Sequence, residues 1–449
     1  MEEIEFDVFV IGSGIAGQTV ANTCADAGLK VGITDNREFG GTCANRGCDP
    51  KKILLGTMEA NEISKNLKGK GIAKSAKIDW KKLQKYKSNF TVNVPVATER
   101  VLKEKGIHLF HQAPKFIDEQ TLMVEGKKVF ALKIIIATGQ IPRSMGITGE
   151  EYFMNSDDFL NLKKLPEKIV FVGGGYIGME FAHMAARAGA DVTVIDTGKR
   201  PLHPFDPDLV KELRKYSESI GIKFIFEAKP TALKKKQKKF KLTYEVKGEE
   251  KKIKANAVFN TAGRVPALAG LDLEKGNVAF NDKGIVTNDY LQSKTNPIVY
   301  ACGDVSDKNL PLTPLSGRQG YVVAENIING NKKELEVPVI PSVVFTLPNL
   351  ATVGYSEEEA NARYKNIRVN YEIATGWFNA KRINAPLYAY KVILNERTNE
   401  IVGAHLLGPN AGETINIFAM AINNGMTEND MKSTIFSYPS WVNDIKSMV

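Results

Sequence analysis

Cys43 and Cys48 stand five residues apart in the stretch Gly40-Gly41-Thr42-Cys43-Ala44-Asn45-Arg46-Gly47-Cys48-Asp49-Pro50-Lys51-Lys52. Two thiols at this spacing can cycle between dithiol and disulfide. Thr42 is expected to cap a helix that starts at Cys43. A helix N-terminus stabilises thiolate, and so do cations such as Arg46 and Lys51. Residues five apart on an ideal helix point in different directions. A Cys43–Cys48 disulfide therefore needs a distorted first turn, and such strain makes the bond easier to reduce. Gly40 and Gly41 let the backbone pass close to a bulky neighbour. The plainer reading is a zinc half-site or a pair of buried thiols. The surrounding sequence argues against it, and no metal site is expected.

The elements that must position this pair begin at residue 6. Phe6 to Ile11 reads as a buried strand, Gly12-Ser13-Gly14-Ile15-Ala16-Gly17 follows, then a helix to Ala27 and a strand ending at Asp35. Strand, GxGxxG, helix, strand and terminal acid form a dinucleotide fold. Gly12, Gly14 and Gly17 admit a pyrophosphate at the helix N-terminus, and Asp35 can accept ribose hydroxyls. The theme repeats. Ile169 to Val172 is a strand, Gly173-Gly174-Gly175-Tyr176-Ile177-Gly178 is a second phosphate loop, and the next strand ends at Asp196. Two such folds imply two dinucleotides. Helical patterns are expected from Ile53 to about Lys68 and from Lys81 to Lys103, with short strands and turns over 106–136. Cys24 and Cys302 read as small buried residues.

With 449 residues the chain has room for two to four domains. A hydrophobic content of 43% and a charged content of 25% are ordinary for a globular protein. Four cysteines do not make a secreted disulfide framework, so the pair reads as catalytic in a reducing compartment. No apolar run of 18 residues occurs, and no membrane span is expected. Met1-Glu2-Glu3-Ile4-Glu5 is acidic where a signal peptide is basic, so the expected compartment is the cytoplasm. Net charge is +9, with lysine runs at 234–239 and 247–254. These read as solvated hairpin loops; the alternative is a footprint for an acidic partner.

The cysteine stretch, the two GxGxxG loops, Lys133-Ile134-Ile135-Ile136-Ala137-Thr138-Gly139, Thr261-Ala262-Gly263-Arg264 and Val299-Tyr300-Ala301-Cys302-Gly303-Asp304 together resemble the FAD-dependent pyridine nucleotide-disulfide oxidoreductases. That family includes glutathione reductase, lipoamide dehydrogenase and mercuric reductase, and the resemblance covers nearly the whole chain. It implies an α/β fold with two Rossmann-like domains, one for FAD and one for NAD(P), and a C-terminal α+β dimerisation domain. The expected segments are 1–147 and 271–336 for FAD, 148–270 for NAD(P) and 337–449 for the interface of a homodimer. It assigns Gly41, Thr42, Thr138, Gly139, Gly303 and Asp304 to FAD, and Gly173, Gly175, Gly178, Gly263 and Asp196 to the nicotinamide nucleotide. By the same resemblance Cys48 lies against the flavin and Cys43 meets the substrate. Lys51 sits near the flavin and pairs with Glu180, while Tyr176 gates the nicotinamide pocket. The strand ending at Asp196 favours NADH, because its carboxylate would repel a 2′-phosphate; Lys199 and Arg200 could neutralise one.

The C-terminus departs from the family. Where most members carry a His-Pro-Thr motif with a following glutamate, this chain reads Tyr438-Pro439-Ser440-Trp441-Val442-Asn443. Tyr438 replaces the histidine base and Asn443 its glutamate. Tyrosine is a poor base at neutral pH, and Arg46 is expected to supply part of the missing thiolate stabilisation, with Asp49 opposing it. The arginines that hold glutathione in glutathione reductases fall at Asn22 and Tyr321. No cysteine follows residue 302, which excludes a C-terminal thiol relay. His405 is expected to be structural. The expected activity is NAD(P)H-dependent reduction of a small disulfide or thiol-coupled acceptor through Cys43 and Cys48. A quinone, metal ion or oxygen is the alternative acceptor. A non-enzymatic role or nucleic-acid binding through the lysine runs is the remaining one.

Overall fold

The computed structural model describes residues 3–308 and 310–449. Met1 and Glu2, which open the acidic N-terminal stretch, lie outside the described residues. The fold is α/β, and the chain divides into two compact units.

The first unit takes residues 1–52, 85–143 and 264–336. Its central strands run parallel in the order His108–Phe110, Val31–Thr34, Glu3–Ile11 and Lys127–Ile136, with Val299–Ala301 beside the last. The near-continuous apolar character of Val8 to Ile11 and Ile134 to Ile136 follows from burial on both faces. On one face the helices Ile15–Asp26 and Thr313–Asn329 contribute Val20, Val322 and Val323 to a core with Val8, Val10 and Ile135. Cys24 and Cys302 are fully buried in that core, and burial alone pushes both thiols up to about 12. They are packing residues. The polar stretch 81–103 is two helices, Trp80–Thr91 and Val94–Glu104. The break falls before Pro95, which cannot donate to a preceding turn but suits the first turn of a new helix.

The second unit takes residues 53–84, 144–263 and 337–449. A parallel sheet ordered Lys223–Ile225, Asp191–Ile195, Lys168–Val172, Ala257–Asn260 carries the second phosphate loop. An antiparallel sheet ordered Ser342–Val344, Asn349–Gly354, Ile401–Gly408, Ala389–Asn395, Ile367–Ile373 supports the C-terminal segment. His405 lies in it, 2% exposed, bonded to the Thr352 hydroxyl and the Tyr355 carbonyl. Both lysine runs form turns and the outer face of the antiparallel ribbon Ala228–Lys236, Lys239–Val246, Glu249–Ala255. Register sets Lys234 opposite Lys241 and Lys241 opposite Lys254, all exposed. The alternate residues Leu233, Leu242 and Ile253 face a core. This is a solvated sheet face with like charges in direct opposition, which costs a little stability. No helix among the described residues is long and apolar enough to cross a membrane.

Candidate active site

The helix carrying Cys43 spans Gly41–Arg46, and its N-cap is Gly40 in a left-handed conformation, φ 109°. Thr42 does not cap it; it lies inside the first turn, exposed. The glycine pair has a different task. A Cβ on Gly41 would sit 2.4 Å from the Gly14 Cα, so the cysteine helix abuts the first phosphate loop. Gly47, at φ −138° and ψ −113°, ends this helix, and a new one, Cys48–Asn66, starts at the second cysteine. That break is the distortion the five-residue spacing demands. It also moves the helix start to Cys48, five residues before the expected Ile53.

Both cysteines are free thiols. Thr313, the first residue of the helix Thr313–Asn329, places its hydroxyl 3.4 Å from the Cys43 sulfur and 3.5 Å from the Cys48 sulfur. The two thiols are held unequally. Cys48 is lowered to about 6, first by the hydrogen bond from Cys43, then by Thr313 and Lys51, against burial and the Asp49 carboxylate. Cys43 is pushed well above the ordinary thiol range, because it donates its proton to Cys48, is partly buried, and faces the negative charges of Cys48 and Asp49. Arg46 is not the cation that serves the pair as expected. It is buried and bonded to Glu38 at 2.8 Å, and Lys51 takes that part.

Around the first phosphate loop, Gly12 has φ 111°, and a Cβ there would meet the Ala137 carbonyl oxygen at 2.3 Å. A Cβ on Gly17 would lie 1.9 Å from the Gly12 carbonyl oxygen, so the helix seats directly on the turn. Gly14 and Gly139 have no atom within 4 Å of an added Cβ. Asp35 accepts hydrogen bonds from the Ser13 amide and hydroxyl at 2.8 and 2.6 Å. The buried Thr138 hydroxyl finds no partner among the described residues. Asp304 accepts from the Ser316 hydroxyl at 3.1 Å, and the Gly303 amide is held by Gln319. Open space at Gly14 and Gly139, an unspent hydroxyl at Thr138 and carboxylates at Asp35 and Asp304 are a donor and acceptor set that fits FAD.

The second loop repeats the first. Gly173 has φ 109° and its Cβ would meet the Thr261 carbonyl oxygen at 2.4 Å; that of Gly178 would meet the Gly173 oxygen at 2.0 Å. Gly175 has nothing within 4 Å, and Gly263 has φ 110°. Asp196 accepts from the Gly174 and Gly198 amides at 2.5 and 2.6 Å. Arg200 is turned to the carbonyls of Leu202 and His203, at 3.0 and 2.8 Å. Tyr176 opens the following helix, Tyr176–Arg187, and is 44% exposed. On the same helix Glu180, His183 and Arg187 grip one backbone segment. Glu180 accepts from the Phe345 amide at 2.8 Å, His183 from the Leu347 amide at 3.2 Å, and Arg187 donates to the Leu347 carbonyl at 2.6 Å. Glu180 is 2% exposed and fixed in orientation.

Tyr438 is 72% exposed, with the Phe378 ring 6.4 Å away. Asn443 donates its amide to the Ser440 hydroxyl. The next residue, Asp444, accepts from Asn379 and Tyr388 at 3.0 Å each, and burial raises its carboxyl. Neither the Thr313 contact nor the Asp444 anchor was expected from sequence. The family resemblance starts a helix along the flavin at Leu312-Thr313-Pro314, but it gave the Thr313 hydroxyl no part at the cysteines.

Compared with known proteins, residues 6–320 match the pyridine nucleotide-disulphide oxidoreductase family and residues 340–449 match that family's dimerisation domain. The chain is 30% identical to a glutathione reductase of Nostoc, over 99% of each chain. It is 32% identical to a dihydrolipoyl dehydrogenase of Staphylococcus aureus, over 97% of this chain and 94% of that one. Among solved structures it is similar to the Cu(II) complex of the HOCl-induced flavoprotein disulfide reductase RclA from Escherichia coli. The TM-score is 0.88 at 26% identity, over 98% of this chain and 99% of that one. With both family domains matched in sequence, two dinucleotide loops and a cysteine pair set against the first of them, the chain belongs to the pyridine nucleotide-disulphide oxidoreductases, FAD-dependent enzymes that pass electrons from NAD(P)H through a cysteine pair.

Proposed function

We propose that this chain oxidises NADH and delivers the electrons through Cys43 and Cys48 to a small acceptor other than glutathione disulfide. The observation that carries the reading is the inequality of the two thiols. Cys48 is the ionised partner and Cys43 the protonated one, which suits Cys48 as the sulfur facing FAD and Cys43 as the one meeting the acceptor. FAD, when bound, accepts a hydride from the nicotinamide and passes an electron pair to the cysteines. Gly12, Gly14, Gly17, Asp35, Gly41, Thr42, Thr138, Gly139, Gly303 and Asp304 would hold it, with Lys51 close to the reacting sulfur. Gly173, Gly175, Gly178, Gly263 and Asp196 would hold the nicotinamide nucleotide, Tyr176 would cover it, and Glu180 would serve Lys51. Segments 1–147 and 271–336 form the FAD domain in this reading, and 148–270 the NAD(P) domain. Segment 337–449 pairs two copies, bringing Tyr438 to the partner subunit's cysteine site.

A second reading has a metal ion as the acceptor. Cys43 holds its proton tightly, and no histidine occurs after His405 to remove it. A disulfide acceptor needs a thiolate nucleophile. A thiophilic metal ion displaces the thiol proton as it binds and needs no separate base. The similarity to RclA, solved as a Cu(II) complex, points the same way. Steady-state assays with NADH separate the two readings, comparing small disulfides with Cu(II). Glutathione disulfide is expected to turn over slowly, with kcat/KM at least about 10²-fold below the ~10⁶ M⁻¹s⁻¹ of an ordinary efficient enzyme. The variant Tyr438→His with Asn443→Glu is expected to stay slow, because Asn22 and Tyr321 supply no guanidinium to orient the peptide and a base does not act on a disulfide that is not held in place. Turnover near ~10⁶ M⁻¹s⁻¹ in that variant would show a glutathione site after all.

NADH is expected to exceed NADPH in kcat/KM by at least about tenfold. The Asp196 carboxylate is locked at the strand end by two amides, and Arg200 is spent on carbonyls of its own loop. A 2′-phosphate would meet a fixed anion, with the exposed Lys199 as the neighbouring cation to offset it. Parity between the two nucleotides would overturn the preference.

A further inference from the structure

Cys43 is the sulfur the acceptor meets in the reading above, yet it is the one that holds the proton. Something must let the charge move across the pair. Thr313 stands where that exchange would occur, nearly equidistant from the two sulfurs at 3.4 and 3.5 Å. Its hydroxyl carries one hydrogen and can rotate to aim it at either. Among the described residues this hydroxyl bonds to the two sulfurs and not to its own helix. The amide ends of Thr313–Asn329 and of Cys48–Asn66 both favour negative charge at the pair.

We propose that Thr313 is a catalytic residue of this site: its hydroxyl donates to whichever sulfur is negative, so that the proton of Cys43 can pass to Cys48 and leave Cys43 as the nucleophile. The step moves one proton and no electrons. The S–H bond at Cys43 breaks, an S–H bond at Cys48 forms, and the negative charge passes to Cys43. The Thr313 hydrogen turns from Cys48 to Cys43 as this happens. The charged groups acting on the pair are Lys51, which favours the thiolate at Cys48, and Asp49, which disfavours it at both sulfurs. On the Cys43 helix, Arg46 is bonded to Glu38. The Thr313 hydroxyl is the neutral group that serves both sulfurs alike.

The proposal rests on Cys43 as the acceptor-facing sulfur, but its test needs neither acceptor nor nicotinamide nucleotide. FAD-loaded protein is reduced with dithiothreitol and freed of it. In a Cys43→Ser background the ionisation of Cys48 is followed against pH by the long-wavelength absorbance of a thiolate next to oxidised flavin. In a Cys48→Ser background the ionisation of Cys43 is followed by the pH dependence of its alkylation by iodoacetamide. Thr313→Val is expected to raise both midpoints by about one pH unit, the worth of a hydrogen bond to a charged group. Thr313→Ser, which keeps the hydroxyl, is expected to leave both within about 0.3 unit. Thr313→Ala replaces Thr313→Val if the branched side chain disturbs folding. A midpoint that moves at one cysteine only, or at neither, overturns the proposal, and so does an equal shift in Thr313→Ser. Failure of every acceptor to turn over would sink the functional reading and leave these midpoints intact.

Discussion

Replacing Cys48 by serine is expected to cut NAD(P)H-dependent reduction of any acceptor by at least about 10⁴-fold, the scale of losing a covalent nucleophile. Cys43→Ser should lose acceptor turnover to a similar degree, but for a different reason and with a different spectrum. Cys48 is the sulfur lowered to about 6. In Cys43→Ser the Cys48 thiolate remains, and a long-wavelength band beside bound oxidised flavin should persist. In Cys48→Ser the band should vanish. The sign with pH follows from the lowered value. The thiolate is present above about pH 6 in the dithiol enzyme and is lost as the pH falls below it. The largest cause of the lowering is the hydrogen bond from the Cys43 thiol, so in Cys43→Ala, which has no donor there, the band should titrate at higher pH than in wild type. A band that survives in Cys48→Ser would assign the flavin-facing role to the wrong sulfur. A band in wild type that strengthens on acidification would reverse the assignment of charge.

What the sequence disclosed and what it hid divide along the range of the interactions. The phosphate loops are local. Gly12 and Gly17, like Gly173 and Gly178, are glycine because a Cβ would collide with carbonyl oxygens of the adjoining turns. That constraint is written in the spacing itself. The same holds for the strands, whose apolar runs report burial on both faces. The cysteine spacing implied a distorted helix, and Gly47 supplies the break. Thr42 misled because a threonine ahead of an apparent helix start is a common cap, while the left-handed Gly40 already fills that position. Arg46 misled because sequence proximity to Cys43 says nothing about Glu38, which claims it. The family resemblance put the helix that begins at Leu312-Thr313-Pro314 along the flavin, but the bond from Thr313 to the sulfurs was hidden, since it depends on how the helix Thr313–Asn329 lies on the sheet. The grip of Glu180, His183 and Arg187 on residues 345–347 was hidden for the same reason. Their spacing on a helix was readable, but not the backbone they hold.

The largest stability effect is expected at Lys391. Its side chain is 3% exposed, and its ammonium lies 2.9 Å from Asp206, 2.6 Å from Asp208 and 2.8 Å from Glu357. Asp206, 1% exposed, also caps the helix Pro207–Ser219 by accepting from the Asp208 and Leu209 amides. Lys391 sits in the strand Ala389–Asn395 and Glu357 begins the helix Glu357–Arg363, so one cation joins a helix of the second nucleotide fold to the C-terminal sheet. The carboxylates push the lysine well above its ordinary value despite burial. Lys391→Met keeps much of the volume and removes the charge. It leaves a buried carboxylate without its cation, a loss that in other proteins costs about 3–5 kcal/mol. Asp208 and Glu357 are about half exposed and can rehydrate, so the lower end, about 3 kcal/mol, is expected. Adding Asp206→Asn to Lys391→Met should return part of the loss, a coupling that a double-mutant cycle of urea midpoints would measure. A cost below about 1 kcal/mol for Lys391→Met, or a double mutant no more stable than Lys391→Met, would mean that this cluster is a surface ion pair in all but position.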